Sequence, residues 1–435
     1  MNRLVIIMVS ALGLLSGCPI LGGSNFTVGG TVTGLRSSGL VLQLNGGDSL
    51  SFSANGSFVF GTRLGNAAAY SVTVMTQPVN QTCIVRNGSA TISKTSVGNV
   101  IISCSETGRF AYVADQLSNT VSAYAIDPAT GALATLSGSP FATNGTTPVA
   151  LTVDPNGQFL YVANNGSNDL SVFTIDSVSG NLTPVGFSTA TGSGPAALAI
   201  DPTNHYLYVA NQQSNTVSAY AINNGVLTPV IGSPYAVGAA PTSLAIDPNG
   251  NFVYVANFTG DSVSVLLIDP ANGMLSPIAG APFGTAVGPQ SIAIDPTDQY
   301  AFVAQAADSV SAYALNPSTG TLTAVSGSPF AVASNPQSLV ADPAGLYVFA
   351  ANVAVNEVAT YAVTPATGAL NLVSSAAAGL LPAAVAIDPS GQFLYAANFN
   401  SNTVSAYTVS ATGALVNVGG SPFLTGLQPH SIAID

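Results

Sequence analysis

The stretch Leu198-Ala-Ile-Asp-Pro-Thr-Asn-His-Tyr-Leu-Tyr-Val-Ala-Asn211, continued by Thr216-Val-Ser-Ala-Tyr-Ala-Ile222, decides the fold. Its short runs of Val, Ile, Tyr and Thr are separated by turns that contain Pro, Asn and Gly, a pattern typical of short antiparallel strands. No segment keeps a helical period over the roughly 11 residues that a helix needs. The pattern predicts one blade of four strands, at 198–201, 206–210, 216–222 and 226–230.

This stretch recurs along the chain with a nearly constant period. A fixed period in the forties is typical of propeller blades or helical repeats, and the strand pattern rules out helices. The Asp of the Ala-Ile-Asp phrase stands at positions 154, 201, 247, 295, 342, 388 and 435. The second-strand phrase occurs seven times, at Tyr112, Tyr161, Tyr208, Tyr254, Phe302, Tyr347 and Tyr395. Residues 107–435 are therefore predicted to form an all-β, seven-bladed propeller.

The first blade lacks an Ala-Ile-Asp strand, whereas Ser431-Ile-Ala-Ile-Asp435 is such a strand with no blade after it. We therefore expect 431–435 to be the innermost strand of the blade formed by 109–138. Such pairing closes the ring without a covalent bond and leaves no unpaired terminal edge.

Residues 25–106 have a different pattern, with alternating apolar and polar residues and frequent Gly and Asn turns. This predicts a small β-sandwich, which resembles the immunoglobulin-like modules before repeat domains in bacterial surface proteins and suggests a spacer. Cys83 and Cys104 lie in this region. Such an even pair indicates a disulfide in an exported chain, and the N-terminal residues described next predict export. Metal binding is the rival interpretation, but neither cysteine has a second Cys or a His at ligand spacing.

The N-terminus carries the features of an export signal. Arg3 precedes an apolar run that ends in Leu15-Ser-Gly-Cys18, and the run is too short to span a membrane stably. This box resembles a bacterial lipoprotein signal. The resemblance implies that residues 1–17 are a signal peptide removed by cleavage before Cys18, that Cys18 is lipidated, and that 18–24 is a linker. Pro19 beside the cysteine favours the outer membrane or cell surface, by resemblance to lipoprotein sorting. An ordinary signal peptide with a chance cysteine is the alternative.

Charge is distributed very unevenly. All six basic residues lie at or before Arg109, and 16 of the 18 acidic residues lie after it. A surface of this kind repels phosphate backbones, so we expect no nucleic-acid partner. The expected partners are a membrane, reached through the lipid anchor, and a glycan, peptide or protein ligand.

The phrases Tyr-Val-Ala-Asn and Asn-Thr-Val-Ser-Ala-Tyr, as in 208–220, resemble the YVTN β-propeller repeat. That family is allied to the lactonase propellers, which include bacterial 6-phosphogluconolactonase. Lactonase propellers carry Pro-Arg-His in the turn into the first strand of a blade and Asn-Glu at the end of the second strand. The resemblance therefore implies the same residues at these positions here. Here the corresponding turns contain no Arg, and Glu does not follow the Asn position in any blade. The charged residues expected to carry the lactonase reaction are thus not matched.

The resemblance places one residue of each blade at the funnel mouth, directly after the turn Pro. Most of these residues are small and neutral, which leaves Thr242, Gln290, Gln337 and His430 as candidate binding residues. His430 is the one catalytic candidate, and His205 belongs to a turn. The repeated Asp residues precede Pro in turns whose backbone they cap, so we interpret them as structural rather than as calcium ligands. We expect no metal and no cofactor, because no EF-hand, nucleophile elbow, phosphate loop or paired-Cys zinc motif occurs.

Three functions remain possible from the sequence. The first is a lipid-anchored envelope protein whose propeller is a binding platform. The second is a lactonase-type hydrolase of an unphosphorylated lactone, which rests on the resemblance of fold. The third is a structural surface protein without a discrete ligand.

Overall fold

The computed structural model describes residues 26–35, 38–78, 81–106, 110–332 and 335–435. The predicted signal peptide 1–17, the linker 18–24 and the candidate lipidation site Cys18 lie outside the described residues. All regular secondary structure in the described ranges is β-strand. Within these ranges no helix has the length and apolar character needed to cross a membrane. The chain divides into two compact units, of which the larger contains 105–435.

The N-terminal region contains two four-stranded sheets. The strands are β1 (Val28–Thr33), β2 (Leu40–Leu44), β3 (Asp48–Phe52), β4 (Gly56–Val59), β5 (Ala69–Thr76), β6 (Gln81–Arg86), β7 (Ser89–Thr91) and β8 (Val97–Glu106). One sheet has the order β4-β1-β8-β6 and the other the order β3-β2-β5-β7. Phe58 of β4 contacts Phe52 of β3 edge to face, with 5.6 Å between ring centroids, so apolar side chains from the two sheets meet.

The disulfide between Cys83 and Cys104 is confirmed. It joins β6 to β8 within the first sheet. The alternation of apolar and polar residues that predicts a β-sandwich over 25–106 does not extend to β6 or β7, because Gln81–Arg86 and Ser89–Thr91 lack a regular apolar face. The pair β1/β8 is parallel. An immunoglobulin-like arrangement of this region stays a prediction.

The larger unit is a seven-bladed propeller. Blade 1 contains β9 (Phe110–Asp115), β10 (Thr120–Ile126), β11 (Leu133–Thr135) and β12 (Phe141–Ala142). Blade 2 contains β13 (Pro148–Val153), β14 (Phe159–Asn164), β15 (Asp169–Ile175), β16 (Leu182–Pro184) and β17 (Thr189–Ala190). Blade 3 contains β18 (Pro195–Ile200), β19 (Tyr206–Asn211), β20 (Thr216–Asn223), β21 (Val226–Pro229) and β22 (Tyr235–Ala236). Blade 4 contains β23 (Pro241–Ile246), β24 (Phe252–Asn257), β25 (Ser262–Ile268), β26 (Leu275–Pro277) and β27 (Phe283–Gly284).

The remaining blades repeat this plan. Blade 5 contains β28 (Pro289–Ile294), β29 (Tyr300–Gln305), β30 (Ser309–Leu315), β31 (Leu322–Ala324) and β32 (Phe330–Ala331). Blade 6 contains β33 (Pro336–Ala341), β34 (Tyr347–Asn352), β35 (Glu357–Val363) and β36 (Leu370–Ala377). Blade 7 contains β37 (Pro382–Ile387), β38 (Phe393–Asn398), β39 (Thr403–Val409), β40 (Leu415–Asn417) and β41 (Phe423–Leu424). The last strand of the chain is β42 (Pro429–Ile434).

The predicted closure of the ring is confirmed. β42 pairs antiparallel with β9, and the sheet order of blade 1 is β11-β10-β9-β42. The strand is longer at its start than the expected 431–435 and ends before Asp435, whose carboxylate accepts a hydrogen bond from the Phe110 N–H at 2.7 Å. Each inner strand contacts the inner strand of the next blade, and β42 contacts both β37 and β13.

The blades differ from the expected four strands at their outer edge. In six blades the outermost position is shared by two short strands, as where β11 and β12 both pair with β10. In blade 1 the residues between them are Leu136-Ser-Gly-Ser-Pro140, and Pro140 has no N–H with which to continue the ladder. Blade 6 has Ser374-Ser375 in the corresponding stretch of its outer strand, and β36 runs unbroken over eight residues.

The hydrophobic core lies between neighbouring blades. Blade 1 packs on blade 7 through Val113, Tyr124 and Ile432 from one side and Phe393 and Tyr395 from the other. The turn glycine Gly131 has a φ of +73°, and a Cβ there would lie 2.3 Å from the Phe393 ring. Only glycine fits this left-handed position so close to an aromatic ring.

In six of the seven blades a buried polar residue fixes the turn between the second and third strands, whereas the Asn352 side chain of blade 6 has no hydrogen-bond partner among the described residues. In blade 3 the Asn211 Nδ2 donates to Thr216 Oγ1 at 3.1 Å and to Ser218 Oγ at 2.9 Å. Blade 1 has Asp115 at this place, and its carboxylate accepts hydrogen bonds from Ser122 at 2.7 Å and Thr425 at 2.8 Å. Burial raises the pKa of Asp115 above its usual 3.8, although these hydroxyl donors oppose the shift.

Candidate binding site in the central cavity

A single cavity of about 670 Å³ is lined by residues from all seven blades. Every inner strand begins with a Pro, and the residue directly after this Pro lines the cavity in each blade. This is the position that the resemblance placed at the funnel mouth. These residues are Val149, Ala196, Thr242, Gln290, Gln337, Ala383 and His430. The structure thus brings together the four candidate residues that the sequence singled out.

Two features of each blade place side chains at this mouth. The inner strand begins at a buried Pro, so the next residue is held at the cavity edge. The residue directly after the second strand is also held in place, because its N–H donates to the backbone carbonyl of the residue that precedes this Pro. In blade 2, for example, the Asn165 N–H donates to Thr147 O at 2.9 Å. Gln116, Asn165, Gln212 and Phe258 therefore also line the cavity.

Those four residues were not among the predicted site residues. They occupy the position where the lactonase resemblance implies Glu, and the absence of Glu there did not by itself indicate a binding role. The signal that would have found them was the repeat itself, because every occurrence of this position lies at the same end of its blade.

Several mouth side chains are already bonded to the neighbouring blade. Thr242 Oγ1 donates to Pro289 O at 3.0 Å, and Gln290 Nε2 donates to Asn335 Oδ1 at 2.6 Å and Pro336 O at 3.3 Å. Asn165 Nδ2 makes the equivalent bond to Pro195 O at 3.1 Å. These contacts connect blades and hold the cavity wall in place.

Other mouth side chains have no such bond. Within the described ranges, the side-chain amides of Gln116, Gln212 and Gln337 have no hydrogen-bond partner, and all three are half-buried. An amide carries both donors and an acceptor, so these groups are suited to a ligand that has hydroxyl or amide groups.

His430 is held in one orientation. Its Nδ1 lies 2.8 Å from Val149 O, so Nδ1 carries the hydrogen, and its ring meets Phe399 edge to face. Burial lowers the pKa of His430 below its usual 6.5, although the bond to Val149 opposes the shift. At neutral pH the imidazole is therefore uncharged, and its Nε2 is an acceptor.

The structural interpretation of the repeated Asp residues is supported by their hydrogen bonds. Asp154 Oδ1 accepts from the N–H groups of Gln158 at 2.6 Å and Phe159 at 2.7 Å, within its own turn. Among the described residues no group of three or more His, Cys, Asp and Glu side chains is placed to hold a metal ion. His205 is exposed, lies 2.9 Å from Thr203 Oγ1 and does not line the cavity.

The family follows from comparison with protein-family models. The model of the lactonase seven-bladed β-propeller matches residues 98–240, 235–340 and 326–425. The chain belongs to this lactonase propeller family. No curated protein is significantly similar to it in sequence.

Solved structures share the propeller. A candidate 6-phosphogluconolactonase from Bacteroides fragilis is 20% identical, with a TM-score of 0.67, over 75% of this chain and 97% of that one. A second, from Bacteroides uniformis, is 20% identical with a TM-score of 0.66, over 75% and 99%. The periplasmic gluconolactonase of Pseudomonas aeruginosa is 20% identical with a TM-score of 0.65, over 75% and 98%. At this identity the likeness concerns the fold.

The chemistry of the cavity differs from what the lactonase resemblance implied. Among the described residues that line the cavity there is no Lys, Arg, Asp or Glu, and His430 is the one titratable side chain. What the cavity offers is a set of neutral amides and hydroxyls, which suits an uncharged polar ligand.

Proposed function

We propose that this protein is a lipid-anchored envelope protein whose propeller binds an uncharged, hydroxyl-rich ligand, such as a glycan, in its central cavity. The observation that carries the proposal is the lining of that cavity, where the free amides of Gln116, Gln212 and Gln337 stand beside hydroxyl groups and no side chain is charged at neutral pH.

Charge favours an uncharged ligand. Residues 110–435 contain 16 acidic residues and no Lys or Arg, so an anionic ligand meets repulsion and finds no cation to pair with. An uncharged glycan avoids this cost and presents hydroxyl groups that both donate and accept, as side-chain amides do.

The proposal is tested by a glycan array probed with detergent-solubilised full-length protein. We expect binding that is weakened about tenfold by Gln337→Ala or Gln212→Ala, because each change removes an amide from the cavity. Gln158→Ala is the matched control, since Gln158 is exposed and does not line the cavity. If Gln337→Ala, Gln212→Ala and the control Gln158→Ala all changed glycan binding to the same extent, the ligand would bind outside the cavity. A protein that binds no glycan would favour the structural surface role.

A second candidate is hydrolysis of an unphosphorylated lactone. Membership of the lactonase family and the neutral Nε2 of His430 beside the cavity support it. The test is the rate of glucono-1,5-lactone hydrolysis above the spontaneous rate, with His430→Gln as the variant. A rate above background that His430→Gln abolishes would favour the enzyme over the binding protein.

A further inference from the structure

A ladder of serine hydroxyls joins the inner strands of the propeller. The second residue after the turn Pro is Ser in four blades, and its Oγ accepts the N–H of an inner-strand residue in the next blade. The donor and acceptor pairs are Leu151 and Ser431 at 3.4 Å, Ile292 and Ser243 at 3.2 Å, Leu339 and Ser291 at 3.1 Å, and Val385 and Ser338 at 3.2 Å. In these blades the N–H group is satisfied by protein.

The ladder is broken at three places, where the residue is Ala150, Ala197 or Ala384. The facing N–H groups belong to Leu198, Leu244 and Ile432. These donors occupy the same position in their strands as Leu151, because each pairs with the corresponding Val of the second strand of its blade. The pairs are Leu151 with Val162, Leu198 with Val209, Leu244 with Val255 and Ile432 with Val113. Their N–H groups therefore point towards the preceding blade, where a methyl group replaces the hydroxyl. In the described part of the chain no side chain accepts from them.

Two of the three breaks are neighbours and open into the cavity. Ala150, Leu198, Ala197 and Leu244 all line it, whereas Ala384 and Ile432 do not. β18, which carries Leu198, is partly exposed along its whole length after Pro195. A donor that the protein leaves unpaired in the wall of a polar cavity is a place for a ligand acceptor.

We propose that the N–H groups of Leu198 and Leu244 bind carbonyl oxygens of the ligand, and that the ligand is an uncharged glycan with acetamido groups. This inference rests on the proposed function and names the ligand class. An amide carbonyl accepts hydrogen bonds and has no donor, so it complements a wall position that offers only an N–H. A carboxylate also accepts, but no cation among the lining residues would compensate its burial.

The two donors lie in adjacent gaps, between β13 and β18 and between β18 and β23, so each gap takes one carbonyl. The amide of Gln212, which has no hydrogen-bond partner among the described residues, also lines the cavity and is available to the sugar hydroxyls.

The test compares N,N′-diacetylchitobiose with cellobiose, two neutral disaccharides that differ in their acetamido groups. Affinity is measured by isothermal titration calorimetry on detergent-solubilised full-length protein, and the leucine amides are followed by NMR after ¹⁵N-leucine labelling. We expect the acetylated sugar to bind at least tenfold more tightly than cellobiose and to shift the Leu198 and Leu244 amide protons downfield.

The decisive variant is Ala150→Ser combined with Ala197→Ser. Each new hydroxyl occupies the place that serine holds in the other blades and accepts the N–H of Leu198 or Leu244, so the acetylated sugar should bind about tenfold more weakly. Ala384→Ser is the matched control, because it completes the ladder in the gap between β37 and β42, which is not one of the two gaps proposed to take a carbonyl, and should leave affinity unchanged. Thermal unfolding of both variants verifies that they are folded.

Equal affinity of the double variant and the wild type, or equal affinity of the wild type for both sugars, would overturn the assignment. So would a wild type that binds neither sugar. In each case the glycan array with the Gln337 and Gln212 variants still decides separately whether the cavity binds a glycan at all.

Discussion

Removal of β42 tests how the ring is closed. A chain truncated after Gln428 lacks Pro429–Ile434 and Asp435, so β9 loses its inner neighbour and the blade 1 sheet gains an unpaired edge. Deletion of a few terminal residues is commonly silent, because termini fray. Here the deleted residues pair with a strand more than 300 positions earlier in the chain.

The magnitude follows from the contacts. Ile432 is 6% exposed, and burial of such a side chain contributes about 1.5–3 kcal/mol. Each hydrogen bond between β42 and β9 contributes about 1 kcal/mol, and the bond between the Phe110 N–H and Asp435 is also lost. The truncation thus removes several kcal/mol from a domain whose expected free energy of unfolding is about 5–15 kcal/mol.

The measurement is the melting temperature from circular dichroism, together with the oligomeric state from size-exclusion chromatography. We expect a decrease in Tm of roughly 10 °C and association through the exposed edge of β9. The heptapeptide Pro-His-Ser-Ile-Ala-Ile-Asp added in trans should restore part of the Tm, whereas a scrambled peptide should not. A truncated protein that stays monomeric and melts with the full-length chain would refute the closure argument.

Three further predictions concern the anchor, the reaction and the buried carboxyl of blade 1. Cys18→Ser should move the protein from the membrane to the soluble fraction or leave its signal uncleaved, and membrane association that survives a salt wash would contradict the lipoprotein proposal. Phosphorylated sugar lactones should not be hydrolysed above the spontaneous rate, because the chain has no Lys or Arg after Arg109; turnover by purified protein would disprove this. Asp115→Asn should raise Tm more at neutral pH than near pH 3.8. Because the pKa of Asp115 is raised in the folded state, the folded wild type binds this proton more tightly than the unfolded chain does. The wild type therefore loses stability as the pH rises from 3.8 through the raised pKa, and the Asn variant does not. A difference in Tm that does not change with pH would show that Asp115 is not the group that titrates. Asn is compatible with this position because sibling blades carry it, as at Asn211.

Much of the propeller was predictable because its signals are local and repeated. The period of the Ala-Ile-Asp phrase, the alternation within each strand and the Asp turns are properties of short segments, and seven copies of each reduce the chance of error. The Asp154 turn shows this well, since its carboxylate caps N–H groups only four and five residues away. The disulfide was predictable for a similar reason, because few pairings are possible.

The N-terminal region was harder to predict. β6 and β7 have no regular apolar face, and the parallel pairing of β1 with β8 joins segments about 70 residues apart. The split outer edge of the blades was also missed, because it depends on which residues of β10 face β11 and which face β12.

The sequence alone determined the architecture of the propeller, its closure by the last strand and the neutral character of its mouth, because these depend on residue type and on a repeat that can be counted. The function of individual mouth residues was decided by contacts between blades. Gln290 and Gln337 occupy the same position in neighbouring repeats. Gln290 is nevertheless bonded to the next blade, whereas the Gln337 amide has no partner in the part of the chain that the structure describes. Likewise, whether the N–H of Leu198 is free depends on Ala150, 48 residues earlier in the sequence. Such contacts arise only when the ring places adjacent inner strands side by side, so no pattern within one repeat contains them.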